Sequence, residues 1–191
     1  MERKTVLLLV GAAIVTGGLL YTFRKKVGAV VDSAVQYALD INQSYHVRQL
    51  HASVRWQFAR FIAEVEKLGY KVIVTSSYRS FAEQDKLHRE NSQNAKPGYS
   101  EHNYGFAIDI NAQKGFTILH KSSSKAEWEA SGIPKLAESL GLIWGGSSYK
   151  TYYDPVHFAV KVDTGRLMQM AMAQQGSDIT KIRGNEIKLA A

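Results

Sequence analysis

Apolar residues follow helical spacing in the middle of the chain and alternate with polar residues in shorter segments nearby. Between residues 54 and 68 an apolar side chain recurs every three or four positions, and Gly69 follows. This pattern predicts a helix that ends at the glycine. Residues 70–75 are rich in β-branched side chains and predict a strand.

The next segments predict a helix, a loop and a second strand. Ser80 and Glu83 have the spacing of a capping box, which predicts a helix over residues 81–89. Residues 91–100 read as a loop. Residues 104–111 alternate as a strand, with Phe106, Ile108 and Ile110 on one face and Ala107 and Asp109 on the other.

The remainder of the chain predicts short helices and strands. These are a helix near Trp128, a helix opened by Pro134, strands at 142–145 and 156–161, and a helix at 165–175. Helices flanking a small, mostly antiparallel sheet make the expected fold class α+β. The predicted organisation is an anchor with basic flanks over 1–26, a helical stalk over 27–48, a globular domain over 49–176 and an exposed C-terminal tail over 177–191.

The N-terminal segment predicts a membrane anchor. Residues 5–23 are 19 uncharged residues bracketed by basic ones, and at about 1.5 Å per residue they approach the thickness of a bilayer core. A cleaved signal peptide is the alternative, but the run ends in Arg-Lys-Lys with no small-x-small cleavage site. The flanking charges tilt slightly toward a cytoplasmic body. Periodic apolar residues after position 26 favour a stalk that packs on the body or on a second copy.

Charge and cysteine content exclude some functions. The net charge is +7, but residues 1–26 hold five basic residues and one acidic residue, so the body is only mildly basic. A nucleic-acid partner is therefore not expected. The chain has no cysteine, which excludes disulfides and thiolate metal sites.

Asp109 interrupts an apolar run, and buried carboxylates usually meet a cation. His102 precedes it by seven residues, and His157 follows in 154-DPVHF-158. Two imidazoles, one carboxylate and an open position describe a catalytic zinc site. This requires that the strands carrying Asp109 and His157 be neighbours and that the loop fold His102 over them. The other four histidines, at positions 46, 51, 88 and 120, are taken as solvated.

Several motifs occur in the order of a known family. They are 75-TSSYRSFAEQ-84, 97-PGYSEHNYGFAIDIN-111 with its Ser-x-His-x-x-Gly-x-Ala-x-Asp pattern, 141-GLIWGG-146 and 154-DPVHF-158. The chain thereby resembles the zinc D-alanyl-D-alanine carboxypeptidases and dipeptidases, a family that includes phage L-alanyl-D-glutamate endolysins and shares a fold with the Hedgehog signalling domain. The resemblance implies that residues 49–176 form a peptidase domain that cuts peptidoglycan stem peptides.

The resemblance also implies residue roles. His102, Asp109 and His157 would bind one zinc ion, Asp154 would be the catalytic acid and base, and Arg79 would meet a substrate carbonyl or carboxylate. An aspartate at position 154 resembles the L-alanyl-D-glutamate endopeptidase branch. Ser100 and Tyr104 are expected to line the cleft or to pack the loop. Asp154 could instead be a turn residue, and Arg79 a surface ion-pair residue.

The leading expectation is thus a membrane-anchored zinc peptidase acting on peptidoglycan in cell-wall lysis or entry. Its partners would be the stem peptide and, through residues 5–23, a lipid bilayer, with self-association through the anchor and stalk. The expected location is a bacterial inner membrane with a periplasmic body, or a virion membrane. The alternatives are a D,D-carboxypeptidase of wall remodelling and a non-catalytic zinc-containing module that binds peptidoglycan.

Overall fold

The computed structural model describes residues 17–149 and 152–189, with residues 17–30 and residue 32 described by backbone alone. The chain divides into two units, residues 1–40 and residues 41–191. Residues 5–16 of the predicted anchor at 5–23 lie outside the described residues. No helix in the part of the chain that the structure describes has the length and hydropathy needed to cross a bilayer.

The described chain contains seven α-helices and five strands, together with 3-10 turns at Ala52–Val54, Glu101–Tyr104 and Gly184–Glu186. The helices are α1 Gly17–Gln49, α2 Arg55–Lys67, α3 Phe81–Glu90, α4 Lys125–Ala130, α5 Ile133–Ser139, α6 Gly145–Ser148 and α7 Thr164–Gln175. The strands are β1 Lys71–Ser76, β2 Ala107–Lys114, β3 Thr117–Leu119, β4 Leu142–Trp144 and β5 His157–Val160. The α+β prediction is confirmed.

The sheet is antiparallel throughout, in the order β1-β2-β5-β4, and β3 pairs with β2. The edge strand β1 is covered by polar side chains from the end of α1. The amide of Asn42 donates to the carbonyl of Val74 and accepts from its N–H, both at 2.9 Å, and Gln43 donates to the carbonyl of Val72. These bonds occupy edge groups that would otherwise be open to another strand.

Helix α2 packs its apolar face on one side of the sheet. Phe58, Phe61, Ile62 and Val65 are buried as the spacing predicts, and the ring of Phe61 lies 4.9 Å from that of Phe158 on β5. Gly69 follows the helix with a φ of 88°, which confirms the predicted termination. The buried helix face leaves the opposite face of β2 and β5 free to carry polar groups.

Both sides of the predicted capping box at Ser80 are present. The Ser80 side chain accepts from the N–H of Glu83, and the Glu83 carboxylate accepts from the N–H of Ser80. A second capping box, Ser124 with Glu127, opens the helix that buries Trp128. These helix starts follow directly from local sequence.

The predicted strand over residues 104–111 is wrong in its first part. Residues Glu101–Tyr104 form a 3-10 turn, and the strand begins only at Ala107. Gly105 ends the turn with a φ of 69°, and a β-carbon there would lie 2.5 Å from the backbone nitrogen of His51. A glycine is therefore needed to reverse the chain between the turn and the strand.

The expectation of an exposed tail after residue 176 is also wrong. Ile182 and Ile187 are each 2% exposed and belong to the hydrophobic core. Gly184 lies so close to the carbonyl of Asn103 that a β-carbon would overlap it. The C-terminal segment therefore packs on the 3-10 turn that carries His102.

Candidate metal centre

Three separate elements bring the predicted ligands together. His102 lies in the 3-10 turn Glu101–Tyr104, Asp109 on β2, and His157 at the first position of β5. Asp109 and His157 are directly opposite partners in the antiparallel pair, which places their side chains next to each other on one face. The requirement that these strands be neighbours is met.

The three ligand atoms form a nearly equilateral triangle. His102 Nε2 and His157 Nδ1 each lie 3.1 Å from Asp109 Oδ1, and the two nitrogens are 3.2 Å apart. Tetrahedral coordination by nitrogen and oxygen at about 2.0–2.1 Å separates ligand atoms by about 3.3 Å. The spacing therefore fits a zinc ion with these three ligands and one open position.

The protonation of His102 follows from its second nitrogen. Nδ1 lies 2.5 Å from the carbonyl oxygen of Ser77, which only accepts hydrogen bonds. Nδ1 therefore carries a proton, which leaves Nε2, the nitrogen that faces Asp109, as the position for a metal ion. A carbonyl in this position orients a metal-binding histidine and fixes its tautomer.

The electrostatics of the cluster agree with a cation site. Burial opposes ionisation of Asp109, but His102 and His157 outweigh it and hold the pKa of its carboxyl well below the ordinary value. Burial lowers the pKa of His157, yet the hydrogen bond and the charge of Asp109 raise it above the ordinary value. The site thus keeps its carboxylate ionised at neutral pH, as a metal ligand requires.

Asp154 lines the same cleft as the three ligands. Its backbone carbonyl accepts from the N–H of His157 at 3.2 Å, so the residue does form a turn. Its side chain does not take part in this turn, because Oδ1 is buried without a hydrogen-bond partner in the described structure. Burial and the nearby charge of Asp109 raise the pKa of Asp154. A buried carboxylate oxygen without a partner is unfavourable, so this position favours a hydrogen-bond donor such as a water or a substrate group.

Arg79 also reaches the cluster. Its guanidinium donates to Gln84 at 2.9 Å and to Ser76 at 3.2 Å, and its Nη2 lies 4.0 Å from Asp109 Oδ2. The side chain is 23% exposed, so Arg79 is held in the wall of the cleft and is not a mobile surface residue. Gln84 is itself fixed by donating to the carbonyl of Ala95 at 2.7 Å.

The two proposed substrate contacts have different positions. Ser100 lines the cleft. Tyr104 does not, because its side chain is fully buried, its hydroxyl donates to the carbonyl of Gly98 at 2.9 Å, and its ring packs against Phe81. Of the two roles expected for Tyr104, its position supports packing of the loop and not lining of the cleft.

The cleft contains residues that the sequence did not assign. It is open, about 800 Å³ in volume, and its further polar lining includes Gln84, Glu101, Lys121, Tyr149 and Tyr152. The ring of Tyr149 lies 5.9 Å from that of His157, and burial with the charges of Glu101 and Asp154 raises its pKa. Two sequence signals could have identified these residues. Tyr149 lies between the Gly-Gly turn and Asp154, and Gln84 lies in the same motif as Arg79.

One histidine taken as solvated is structural. His51 is buried, its Nδ1 lies 2.7 Å from Ser53 Oγ, and its Nε2 lies 2.9 Å from the carbonyl of Ile187. It thereby joins the 3-10 turn Ala52–Val54, which precedes α2, to the C-terminal segment. Within the described residues, the cluster of His102, Asp109 and His157 is the group of acids and histidines able to hold a metal ion.

Comparison with known proteins gives one family match and several relatives. The family model of VanY, D-alanyl-D-alanine carboxypeptidase, matches residues 47–159. The peptidoglycan L-alanyl-D-glutamate endopeptidase CwlK of Bacillus subtilis (strain 168) is 32% identical, over 56% of this chain and 71% of its own.

Two solved structures are also similar. The L-Ala D-Glu endopeptidase ChiX of Serratia marcescens is 21% identical with a TM-score of 0.47, covering 71% of this chain and 91% of its own. The vancomycin resistance D,D-pentapeptidase VanY from a VanB-type cassette, in complex with Zn(II), is 19% identical with a TM-score of 0.46, covering 68% and 81%.

The family match covers more than half of the chain and includes all three residues of the cluster. The predicted resemblance and the prediction of a zinc-binding hydrolase are confirmed at this level, since the cluster fits the expected cofactor. The chain belongs to the D-alanyl-D-alanine carboxypeptidase (VanY) family, whose members are peptidases.

Proposed function

We propose that this protein is a zinc-dependent endopeptidase that hydrolyses the L-alanyl-D-glutamate bond of peptidoglycan stem peptides. The observation that carries the proposal is the triangle of His102, Asp109 and His157 at the base of an open cleft, beside the unpartnered Oδ1 of Asp154. The relative that is 32% identical is named for this activity.

The chemistry assigned to the cleft needs a water, a base and a group that stabilises negative charge. A zinc ion bound by the three ligands would polarise the scissile carbonyl and lower the pKa of water to about 7. Asp154 accepts a proton from the attacking water at Oδ1 and passes it to the leaving amine. Burial raises the pKa of this carboxyl, which makes its carboxylate a stronger base toward the attacking water.

Arg79 is proposed to bind negative charge on the substrate. Its guanidinium is fixed by Gln84 and Ser76, and it stands at the edge of the cluster. A guanidinium with a fixed orientation can pair with a carboxylate of the stem peptide or with the oxyanion that forms during hydrolysis. Ser100 in the cleft wall is the proposed polar contact for the peptide backbone.

A second candidate is a D,D-carboxypeptidase, because the matching family model carries that description. The two activities leave different products. An endopeptidase at L-alanyl-D-glutamate exposes a new amino terminus on D-glutamate, whereas a D,D-carboxypeptidase releases free D-alanine. The aspartate at position 154 supports the endopeptidase by its resemblance to that branch.

We also propose that residues 5–23 anchor the protein in a bilayer, with the peptidase domain on the side of the membrane that faces peptidoglycan. The support is the uncharged run bracketed by basic residues. A bacterial inner membrane and a virion membrane both fit, and a role in lysis or entry belongs to this proposal. Fractionation of expressing cells, followed by external protease, tests it: the domain should sediment with membranes and be cut from the periplasmic side.

The activity is tested with the purified full chain and isolated sacculi. In zinc-containing buffer, mass spectrometry of the soluble products should show stem peptides that begin with D-glutamate, and a chelator should abolish their release. Release of D-alanine alone would support the carboxypeptidase. A folded, zinc-loaded protein that releases neither product would overturn the proposal.

Substitution of Asp154 tests its proposed role as the general base. Asp154→Ala should retain zinc and lower turnover by about 10²–10⁴-fold, the usual contribution of a general base. Asp85 in α3, which is half-buried and pairs with Arg89, provides a control, since Asp85→Ala removes a carboxylate that does not contact the ligands. Unchanged turnover in Asp154→Ala would assign the base to another residue.

A further inference from the structure

The outer ring nitrogen of His157, Nε2, has no hydrogen-bond partner among the described residues. Nδ1 faces Asp109 and His102, while Nε2 is buried and makes no hydrogen bond to any described residue. A neutral imidazole that offers the lone pair of Nδ1 must carry its proton on Nε2. A buried N–H without an acceptor is unfavourable, so this position requires an acceptor.

Glu101 supplies the candidate acceptor. Its Oε2 lies 3.9 Å from His157 Nε2, and its side chain is only 18% exposed. Among the described acids, the carboxylates within 4.0 Å of the ring nitrogens of His157 are those of Asp109 and Glu101. Asp109 contacts the inner nitrogen, and Asp154 is farther away, so Glu101 alone is near the outer one.

The backbone of Glu101 is fixed while its carboxylate is free to adjust. The carbonyl of Glu101 accepts from the N–H of Phe106 at 3.0 Å, and the residue begins the 3-10 turn that carries His102. No described side chain donates to its carboxylate. A small rotation of the side chain would close the 3.9 Å gap to hydrogen-bond distance without moving the turn.

We infer that Glu101 is a positioning residue that accepts a hydrogen bond from His157 Nε2 and holds the ring in the tautomer that binds metal through Nδ1. The inference rests on the metal site of the proposed function. It gives the two histidines different supports: the carbonyl of Ser77 orients His102, and the carboxylate of Glu101 orients His157. The 3-10 turn then carries one metal ligand, His102, and orients another, His157 on β5.

A carboxylate behind a metal-bound imidazole raises its basicity and strengthens metal binding, and loss of such a partner typically weakens metal affinity by about 10–100-fold. The test is zinc affinity of the full chain, measured by competition with a chromophoric chelator. Glu101→Ala should bind zinc about 10–100-fold more weakly than the wild type. Glu101→Gln should lie between them, because its amide oxygen still accepts a hydrogen bond.

Glu129→Ala is the matched control, since it removes an exposed carboxylate on α4 and should leave zinc affinity unchanged. Equal zinc affinity of Glu101→Ala and the wild type would overturn the inference. If that variant lost turnover but not zinc affinity, Glu101 would be a reacting group and not a positioning residue. Failure of the wild type to bind zinc would instead overturn the proposed metal site.

A second measurement needs no substitution. Nitrogen-15 spectra of the imidazoles in the zinc-loaded wild type should show His157 bound through Nδ1, with a proton on Nε2 that exchanges slowly with water. The exposed His120 provides the fast-exchange reference. Coordination of His157 through Nε2, or exchange as fast as that of His120, would overturn the inference.

Discussion

At the scale of single residues, Gly145 allows the turn that contains Asp154 to lie close to the metal-binding cluster. A β-carbon at this position would lie 2.5 Å from the carbonyl oxygen of Asp154 and 3.0 Å from the β-carbon of His157. The N–H of Asp154 donates to the carbonyl of Gly145 at 3.2 Å. The glycine therefore lets the chain carrying the proposed base pass directly behind a ligand.

Gly145→Ala should consequently displace the Asp154 turn and weaken zinc binding. The physical reason is that the added methyl group meets backbone, which cannot move aside as a flexible side chain could. Zinc affinity and the free energy of unfolding of the metal-free protein should both fall. Gly165→Ala in α7 is the control, because its β-carbon would approach only the side chain of Asp163, at 3.3 Å. Equal zinc affinity of the two variants would contradict the expectation.

At the scale of secondary-structure elements, local signals account for what the sequence predicted correctly. The face of α2, the capping box of α3 and the alternation of β2 each arise from neighbouring residues, and each is present. The pairing of Asp109 with His157 does not follow from local sequence, because register between distant strands depends on the whole sheet.

The predictions that failed concern segments whose structure depends on distant contacts. The sequence pattern predicts part of the turn at Glu101–Tyr104 as strand, because its buried aromatic residue fits either structure. The support for Tyr104 comes from Gly98 and Phe81 and from the later Gly184. Ile182 and Ile187 are separated by polar residues without any period, so nothing local identified them as core.

The capping box of α3 predicts a pH dependence of stability. Hydrogen bonds from the Ser80 hydroxyl and N–H lower the pKa of Glu83 below its ordinary value of 4.5. A lowered folded-state pKa contributes stability above the unfolded pKa, and this contribution is lost as the pH falls through the folded value. The free energy of unfolding should therefore decrease on acidification below pH 4.5, in part through Glu83.

Glu83→Gln keeps a capping group but cannot titrate. Urea unfolding above and below pH 4.5 should show a smaller loss of stability on acidification in this variant than in the wild type. Glu138→Gln, in an exposed helical position outside any capping box, should match the wild type. An identical acid dependence in Glu83→Gln and the wild type would show that the capping carboxylate does not contribute.

At the scale of the whole described molecule, residues far apart in sequence support one short turn. The N–H of His51 donates to the carbonyl of Gly105, and the His51 ring bonds the carbonyl of Ile187. Asn103 donates to the carbonyl of Arg79 and accepts from the N–H of Gly98. The position of His102 is therefore set from several directions, which suits a ligand that must meet β2 and β5 within a narrow tolerance.

The C-terminal segment completes this support, so its removal should affect both stability and the metal site. Burying an isoleucine contributes about 1.5–3 kcal/mol, so Ile182 and Ile187 together contribute about 3–6 kcal/mol. This is a large part of the about 5–15 kcal/mol that stabilises an ordinary domain. A chain that ends at Gly176 should unfold at much lower urea concentration and bind zinc more weakly, because the cover over the turn of His102 is lost.

A chain that ends at Lys188 is the matched control. It keeps both isoleucines, the bond from His51 to Ile187, and the pair of hydrogen bonds between Lys188 and Gln174. Its unfolding midpoint and zinc affinity should therefore equal those of the full chain. The two truncations differ only in residues 177–188. Equal stability of both would therefore mean that the buried isoleucines do not stabilise the domain. Loss of zinc affinity in the shorter chain alone would show that this segment supports His102.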